Sequence, residues 1–292
     1  MDVSIIIVNW NVKNLLQKCL ESLFVFIENL HYEIIVVDNN SSDDSQDMLS
    51  TIKAEHKNFQ VIFNKENFGF ARANNHGLKI ASGKYILFMN PDMEIVENTP
   101  AILYKFMEKN FTVAACTCQL QYGDGSRQAN IKRDPTLWSQ IWILYKLHHV
   151  FRPRFLKNYL AKDFDYTRTQ TVEQIMGALV FIKADVIKKI GGWPQEYFIW
   201  WEDVDLCTSL RKMGEKIMYT PDSRVIHYES KSFAQKMSLG KQKMFNQSML
   251  IYFKKYHGKF AFIILKIINL DSLCLAWLAQ IFKFKPKSQA GI

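Results

Sequence analysis

Three polar residues follow an apolar run in the first half of the chain. The run Tyr85–Met89 has the length and composition of a buried strand, and Pro91 cannot continue the ladder of a central strand. The oxygen-bearing side chains of Asn90 and Asp92 are then left at the carboxyl end of that strand. A carboxylate at this edge of an α/β sheet could hold a divalent cation, and the cation could hold a phosphate. The tripeptide is equally typical of a simple turn.

Other polar groups stand where they could complete such a site. Asp38 ends a second apolar run, and His227 follows a late one. Glu202 and Asp203 open a predicted helix, and like-charge proximity would raise the pKa of one of them, which suits a base. An acidic helix start and a partly buried histidine are the ordinary alternatives. One carboxylate could bind a metal, one could contact a nucleotide and one could accept a proton. Together these roles would serve displacement at an activated phosphoester.

The elements that must position these groups alternate between strands and helices. Apolar runs predict strands at 3–9, 33–38, 60–63, 85–89, 113–119, 176–182, 216–220 and 224–228. Helical spacing and capping signals predict helices at 12–28, 44–55, 69–81, 99–109, 185–190, 200–213 and 241–256. This alternation predicts an α/β fold with a Rossmann-like, mostly parallel sheet and helices on both faces. In such a fold the polar groups can converge on one crevice.

Positive charge is concentrated in two segments that are also apolar. Residues 231–292 contain eleven lysines against Asp271 alone, and residues 131–162 contain seven basic residues against Asp134. This combination favours an anionic membrane surface over nucleic acid, for which the sequence carries no recognition signature. The five irregularly spaced cysteines and the absence of a secretory signal predict reduced core cysteines in a cytoplasmic protein.

The most apolar region is 260–284. Lys266, Asp271 and Gln280 interrupt it, so we predict an amphipathic helix on the membrane surface rather than a spanning helix. The alternative is a helix that packs on the domain or on a second copy of the chain, which would make the protein a homo-oligomer.

Five segments occur in a fixed order: Val3–Asn11, Val37–Ser45, Asn67–Gly77, Asn90–Asp92 and Glu202–Cys207. Together they resemble the family 2 glycosyltransferases of the GT-A fold, and more narrowly the bacterial rhamnosyltransferase-like branch. The resemblance covers about residues 1–230. It implies a glycosyltransferase domain with a nucleotide-binding half, 1–95, and an acceptor half, 96–230, followed by the basic, apolar segment 231–292.

The resemblance also implies an activity. The enzyme would move a sugar, with rhamnose as one candidate, from a dTDP- or UDP-sugar to a lipid-linked or cell-surface glycan acceptor. Direct displacement would invert the anomeric carbon, Mg²⁺ or Mn²⁺ would assist, and the protein would work at the inner face of the cell membrane.

Site roles follow from the same resemblance. Asp38, with Asn40 in the same loop, would contact the nucleobase or ribose. Arg72 and Asn75 would lie near the nucleotide or the donor sugar. Asn90 falls in the place of the family's Asp-x-Asp metal motif and is neutral where aspartate is common.

The remaining roles concern the metal and the proton. Asp92 would bind the ion that bridges the diphosphate, and His227 would be a further ligand or diphosphate contact. Asp203 would be the general base, with Glu202 beside it.

Two other kinds of function use a similar fold. A non-catalytic sugar-nucleotide-binding or scaffold protein would have Asp203 pointing away from the crevice. A dinucleotide-dependent oxidoreductase is disfavoured, because no G-x-G-x-x-G opens a helix in this sequence.

Overall fold

One mixed sheet runs through the protein, whose computed structural model describes residues 1–228 and 239–281. The strands are β1 Val3–Asn9, β2 Tyr32–Asp38, β3 Phe59–Phe63, β4 Tyr85–Met89, β5 Met93–Ile95, β6 Val113–Gln121, β7 Arg127–Gln128, β8 Ile131–Lys132, β9 Gln170–Thr171, β10 Gln174–Ile175, β11 Leu179–Lys183 and β12 Lys216–His227. The helices are α1 Lys13–Phe26, α2 Ser45–Glu55, α3 Phe70–Ile80, α4 Thr99–Lys109, α5 Leu137–Leu144, α6 Arg154–Tyr159, α7 Ala184–Lys189, α8 Glu202–Lys212, α9 Leu239–Tyr256 and α10 Gly258–Ile281, with a 3₁₀ turn at Leu147–His149.

The main sheet has the order β3-β2-β1-β4-β11-β6-β12-β5. The first four strands are mutually parallel, β11 runs antiparallel to both β4 and β6, and β12 is parallel to β6. All strands of this path except β11 and β5 therefore share one direction. The predicted mostly parallel sheet is confirmed.

Side chains on both faces of the sheet are buried under helices. Ile5 packs into a core that includes Leu16 of α1, whereas the adjacent Ile6 packs into a second core that includes Leu206 of α8. Neighbouring residues of a strand point to opposite faces, so a strand covered on both sides reads as an unbroken apolar run. The prediction of helices on both faces is confirmed.

The late strands differ from the sequence prediction. β12 is one strand of 12 residues rather than two short ones, with a register shift between Tyr219 and Arg224. Pairing with β6 continues on both sides of this irregularity, which is how a bulge is accommodated in a ladder. The sequence analysis also missed β5, a three-residue strand that pairs with the end of β12.

Two helices end the described chain. α9 packs against the start of α8, where the Trp201 and Tyr252 rings lie 5.3 Å apart, and α10 packs against α9. α10 buries Ala261 and Leu265 and leaves an apolar face exposed, so the predicted amphipathic C-terminal helix is present. Residues 229–238 and 282–292, at the two ends of the predicted segment 231–292, lie outside the described residues.

One helix of the described part is long and apolar enough to cross a membrane. Its stretch Gly258–Leu278 has a mean hydropathy of 1.8, and 22% of the apolar window is buried. Length and composition alone do not distinguish a spanning helix from one that lies on a surface.

Candidate active site

The carboxyl end of β4 and the amino end of β11 meet at one edge of the sheet because these strands are antiparallel. Asn90, the residue after β4, donates its N–H to the Ala178 carbonyl (2.9 Å). The N–H of the neighbouring Gly177 donates to Oδ2 of Asp203 (3.0 Å). The turn that follows β4 and the helix start that carries the predicted base are therefore held by adjacent residues of one loop.

Asp92 and His227, the two predicted metal ligands, lie side by side. His227 pairs with Met93 at the end of β12, which brings its imidazole to Asp92. Nε2 of His227 is 3.4 Å from Oδ1 of Asp92, and each residue is only 5% exposed. Nδ1 lies 2.8 Å from Oε1 of Gln128 and, with the amide in this orientation, donates to it. Nε2 of His227 and the Asp92 carboxylate therefore face each other, an arrangement that a cation bound between them would stabilise.

Glu202 and Asp203 form the first turn of α8 but have different surroundings. Burial, and secondarily the charge of Asp203, raises the pKa of Glu202 to about 8. Among the described residues, Oε2 of Glu202 has no hydrogen-bond partner. Asp203 is half-buried and accepts from the N–H groups of Gly177 and Val204. At neutral pH Glu202 is therefore protonated and adds no negative charge beside Asp203.

A strained turn aims this pair. Trp200 and Trp201 have φ of 63° and 70°, the left-handed region that costs a non-glycine residue roughly 1–3 kcal/mol. Trp201 is buried against Tyr252 and Phe253 of α9, with ring centroids 5.3 and 6.0 Å away. Packing on α9 therefore sustains the turn from which α8 begins.

An ion pair between a buried carboxylate and an exposed lysine joins the same two helices. Asp205, in the first turn of α8, is fully buried and accepts from the Tyr197 hydroxyl (2.8 Å) and the Tyr256 hydroxyl (2.6 Å). Lys255 of α9 donates to the same carboxylate at 2.8 Å. Asp205 thus fixes α8 on the scaffold, while Asp203, two residues earlier, stays half-buried beside Gly177.

The predicted nucleotide contacts lie at the neighbouring strand ends. Asp38 is fully buried and accepts from Asn9 Nδ2 (2.8 Å), the Ser41 N–H (2.9 Å) and Gln46 Nε2 (3.1 Å). Asn40 follows with φ of 63° and an exposed side chain. Asp38 therefore shapes the loop that presents Asn40, and a nucleotide contact by Asp38 would exchange one of these bonds.

Arg72 and Asn75 both face the loop that follows α7. Arg72 is exposed, and its Nε donates to the Gln195 carbonyl (3.4 Å). Asn75 is buried and holds the backbone of Trp193 through two bonds, one donated and one accepted, of 2.8 Å each. A donor contact by Asn75, as predicted, would compete with these bonds, whereas Arg72 has further N–H groups to offer.

Several residues of the site escaped the sequence analysis. Gln128 orients His227 but lies in a two-residue strand without a periodic signal. Gly177 binds Asp203 and lies in the loop before β11, although the sequence predicted a strand from residue 176. Asn39 accepts from Asn64 Nδ2 (2.8 Å), and Asn64 Oδ1 lies 2.9 Å from His76 Nδ1. The asparagines at the ends of β2 and β3 were a readable signal, because polar residues that end parallel strands share one edge of the sheet.

The donor set fits a divalent ion that is shared with a ligand. In residues 1–228 and 239–281 no group of three or more His, Cys, Asp and Glu side chains is arranged for a metal. Asp92 and His227 would supply two protein ligands of these types. An ion held by one or two carboxylates typically takes the rest of its coordination from water and substrate phosphates.

The sheet order and the polar crevice at its strand ends define the GT-A-type fold, as predicted. The chain aligns with a solved mannosyltransferase, PcManGT from Pyrobaculum calidifontis in complex with GDP-Man and Mn²⁺, with a TM-score of 0.59 and 19% identity over 98% of this chain and 76% of that one. At this identity the likeness establishes the fold. Residues 4–173, more than half of the chain, match the model of Glycosyl transferase family 2, and the chain belongs to that family.

Two curated relatives support the predicted rhamnosyltransferase-like branch. The rhamnosyltransferase WbbL of Escherichia coli is 26% identical over 245 residues, which are 80% of this chain and 87% of WbbL. The O-antigen biosynthesis protein RfbC of Myxococcus xanthus is 26% identical over 234 residues, 79% of this chain. The aligned region spans only 17% of RfbC.

Proposed function

We propose that this chain is an inverting glycosyltransferase that moves a sugar from a dTDP- or UDP-sugar to a lipid-linked or cell-surface glycan acceptor. Rhamnose is the sugar that the relationship to WbbL favours. The observation that carries the proposal is the hydrogen bond from Gly177 to Asp203. Gly177 lies just before β11, and β11 pairs with β4, so this bond holds the Asp203 carboxylate next to the strand that the Asp92 turn follows.

The proposed reaction is a single displacement. Asp203 takes the proton of the acceptor hydroxyl while that oxygen bonds to the anomeric carbon from the face opposite the leaving group. The bond between the anomeric carbon and the diphosphate oxygen breaks, and the nucleoside diphosphate leaves with the electron pair. Glu202, protonated and buried, adds no second negative charge beside the base.

Asp92 and His227 would hold Mg²⁺ or Mn²⁺ at the donor diphosphate. When bound, the ion would offset the negative charge that gathers on the leaving group. Calorimetry of UDP binding checks this assignment: Mn²⁺ should strengthen binding to the parent protein but not to Asp92→Asn. An equal Mn²⁺ effect in both proteins would remove Asp92 from the metal site.

Donor turnover with purified protein tests the base. Asp203→Asn should lower turnover by at least about 100-fold, the scale of general-base catalysis, while UDP binding is retained. Asp185→Asn is the matched control, because Asp185 also lies in the first turn of a helix but is exposed. An unchanged rate in Asp203→Asn would overturn the assignment. It would favour a non-catalytic sugar-nucleotide-binding or scaffold protein. The contact of Asp203 with Gly177 argues against that alternative, which requires Asp203 to point away from the site.

The membrane location of the enzyme rests on α10. Six of its apolar residues are 52–76% exposed, at spacings of three, four or seven positions that keep them on one side of a helix: Phe260, Ile263, Ile267, Leu270, Trp277 and Ile281. Asp271, the one acidic residue of this helix, accepts a hydrogen bond from the Tyr145 hydroxyl (2.7 Å) on the protein side. Lys259 and Lys266 are exposed. An apolar helix face with lysines suits an anionic membrane surface on the cytoplasmic side.

Flotation with vesicles separates the membrane from a second copy of the chain. The parent protein should float with phosphatidylglycerol vesicles and remain monomeric by light scattering, and Ile267→Ser/Leu270→Ser should float less. A parent protein that dimerises through α10 without floating would favour the oligomer contact instead.

A further inference from the structure

Asn75 joins α3 to the loop 190–201, which leads into α8. The side chain of Asn75 is only 5% exposed. Its Nδ2 donates to the Trp193 carbonyl and its Oδ1 accepts from the Trp193 N–H, each at 2.8 Å. One amide group therefore holds the backbone of Trp193 through two bonds.

The loop comes close to α3 at two points. Gly192 has a φ of 88°, and a Cβ there would lie 2.3 Å from Oδ1 of Asn75. Because glycine has no Cβ, the backbone before Trp193 can approach the amide this closely. At the start of α3, the Phe70 N–H donates to the Phe198 carbonyl (3.1 Å). The helix thus fixes the loop both near its beginning and closer to α8.

The ring of Trp193 continues this contact to the candidate base. It is 1% exposed and packs edge to face on Phe70 and Phe88, with centroids 5.2 Å away in each case. A Cβ on Gly177 would lie 3.5 Å from Cη2 of Trp193 and 3.1 Å from Cβ of Asp203. The indole and Asp203 therefore lie against the same glycine, whose N–H donates to Oδ2 of Asp203 (3.0 Å).

Loss of the Asn75 amide would disturb this series of contacts. It would remove a partner from both the N–H and the carbonyl of the buried Trp193, and a buried polar group without a partner is costly. The loop would then shift to find other partners, and the indole that lies against Gly177 would move with it. A misplacement of about 1 Å in a catalytic site lowers a rate by roughly 100-fold.

We propose that Asn75 is a positioning residue for Asp203 and does not bind the donor. Its two bonds fix Trp193, the indole confines Gly177, and the glycine N–H fixes the carboxylate that takes the acceptor proton. The amide is occupied by Trp193, so this role replaces the donor contact that the resemblance implied. The role rests on the proposed function and adds a residue to that same site.

Kinetics of dTDP release from dTDP-rhamnose test this role in the full chain. Asn75→Ala should lower kcat at least tenfold, while KM for dTDP-rhamnose and the affinity for dTDP change less than twofold. Asn246→Ala is the matched control, because Asn246 is also a buried amide but joins α9 to α10, and its kcat should equal that of the parent. Trp193→Phe keeps the backbone bonds and shortens the ring, so it should show the same split if Asn75→Ala does not fold.

A double substitution separates positioning from donor binding. If Asn75 acts through the carboxylate, Asn75→Ala/Asp203→Asn should release dTDP as fast as Asp203→Asn alone. A donor contact would lower the rate by the same factor with and without the carboxylate. That result would overturn the positioning role, and so would a raised KM or weaker dTDP binding at an unchanged kcat.

Hydrogen exchange follows the same contacts without any turnover. The Gly177 N–H is bonded to Asp203, so Asn75→Ala should speed its exchange at least tenfold, whereas Asn246→Ala should not. Equal exchange at Gly177 in the parent and in Asn75→Ala would overturn the positioning role, as would an equal loss of kcat in Asn75→Ala and Asn246→Ala. A parent protein that neither binds dTDP nor releases it from dTDP-rhamnose would contradict the proposed function, and exchange at Gly177 would still decide whether Asn75 holds these contacts.

Discussion

Replacing Glu202 with glutamine should stabilise the protein, and the gain should grow with pH. In the folded state the pKa of Glu202 is about 8, and its ordinary value is 4.5. Between these values the unfolded chain has released the proton while the folded chain still holds it, so stability falls as pH rises. The penalty is absent below about pH 4.5 and complete above about pH 8. Glutamine has no proton to release and removes this pH dependence.

The magnitude follows from the two pKa values. Each pKa unit is worth about 1.36 kcal/mol, so the penalty at pH 7 is roughly 3 kcal/mol and its limit above pH 8 is roughly 5 kcal/mol. For a chain of this size a gain of about 3 kcal/mol corresponds to a rise in Tm of roughly 6–12 °C. A protonated carboxyl and an amide have nearly the same shape, and each brings a donor into the same buried place.

Chemical denaturation of both proteins at pH 5, 7 and 8.5 checks the prediction. The difference in the free energy of unfolding should be about 1 kcal/mol at pH 5 and increase at each step. Glu66→Gln, at an exposed glutamate, should show no such trend. A stability difference that does not change with pH would refute the argument, because it would mean that Glu202 titrates alike in the folded and unfolded chains.

Two further substitutions test the scaffold behind the site. Lys255→Met should lower the free energy of unfolding by roughly 2 kcal/mol, because it leaves the buried Asp205 carboxylate without its cation. Lys254→Met is the control, because Lys254 is exposed like Lys255 but forms no ion pair with the described residues, and equal effects would contradict the ion-pair argument. Gly69→Ala should cost roughly 2–4 kcal/mol in thermal unfolding, since its Cβ would lie 2.3 Å from the Phe198 carbonyl oxygen at a φ of 78°. Gly125 has a similar φ of 81°, but a Cβ there would meet no atom within 4 Å, so Gly125→Ala should cost less stability than Gly69→Ala. Equal losses of stability in the two variants would mean that φ alone, and not the contact with Phe198, causes the effect.

The elements of the first half were largely predictable because their signals are local. The bounds of β1, β4 and α4 agree with the prediction. β1 and β4 are unbroken apolar runs that stop at polar residues, and α4 combines helical spacing with the capping residue Asn98. Short strands were not predictable. β5 and β8 have only three and two residues, too few for a periodic pattern. They form because they pair by backbone hydrogen bonds with a neighbouring strand, β12 and β10 respectively.

Site chemistry shows the same division. Residue types at strand ends were enough to select Asp38, Asp92 and the Glu202–Asp203 pair. They could not reveal that Asn75 is occupied by Trp193, since that contact joins residues 118 positions apart. Nor could they assign the raised pKa to Glu202 rather than Asp203, because burial decides it and burial depends on how α8 packs.

The sequence by itself determined which residues end the first four strands, because their alternation with helices makes these strands parallel. It thereby determined the fold class, the family and the set of polar groups at one edge of the sheet. The tertiary structure alone decided which of these groups meet. Asp92 lies beside His227 because β5 pairs with β12, and Asp203 lies beside Gly177 because β11 runs antiparallel to β4. Strand pairing over long sequence separations is a property of the assembled core, and no local pattern encodes it.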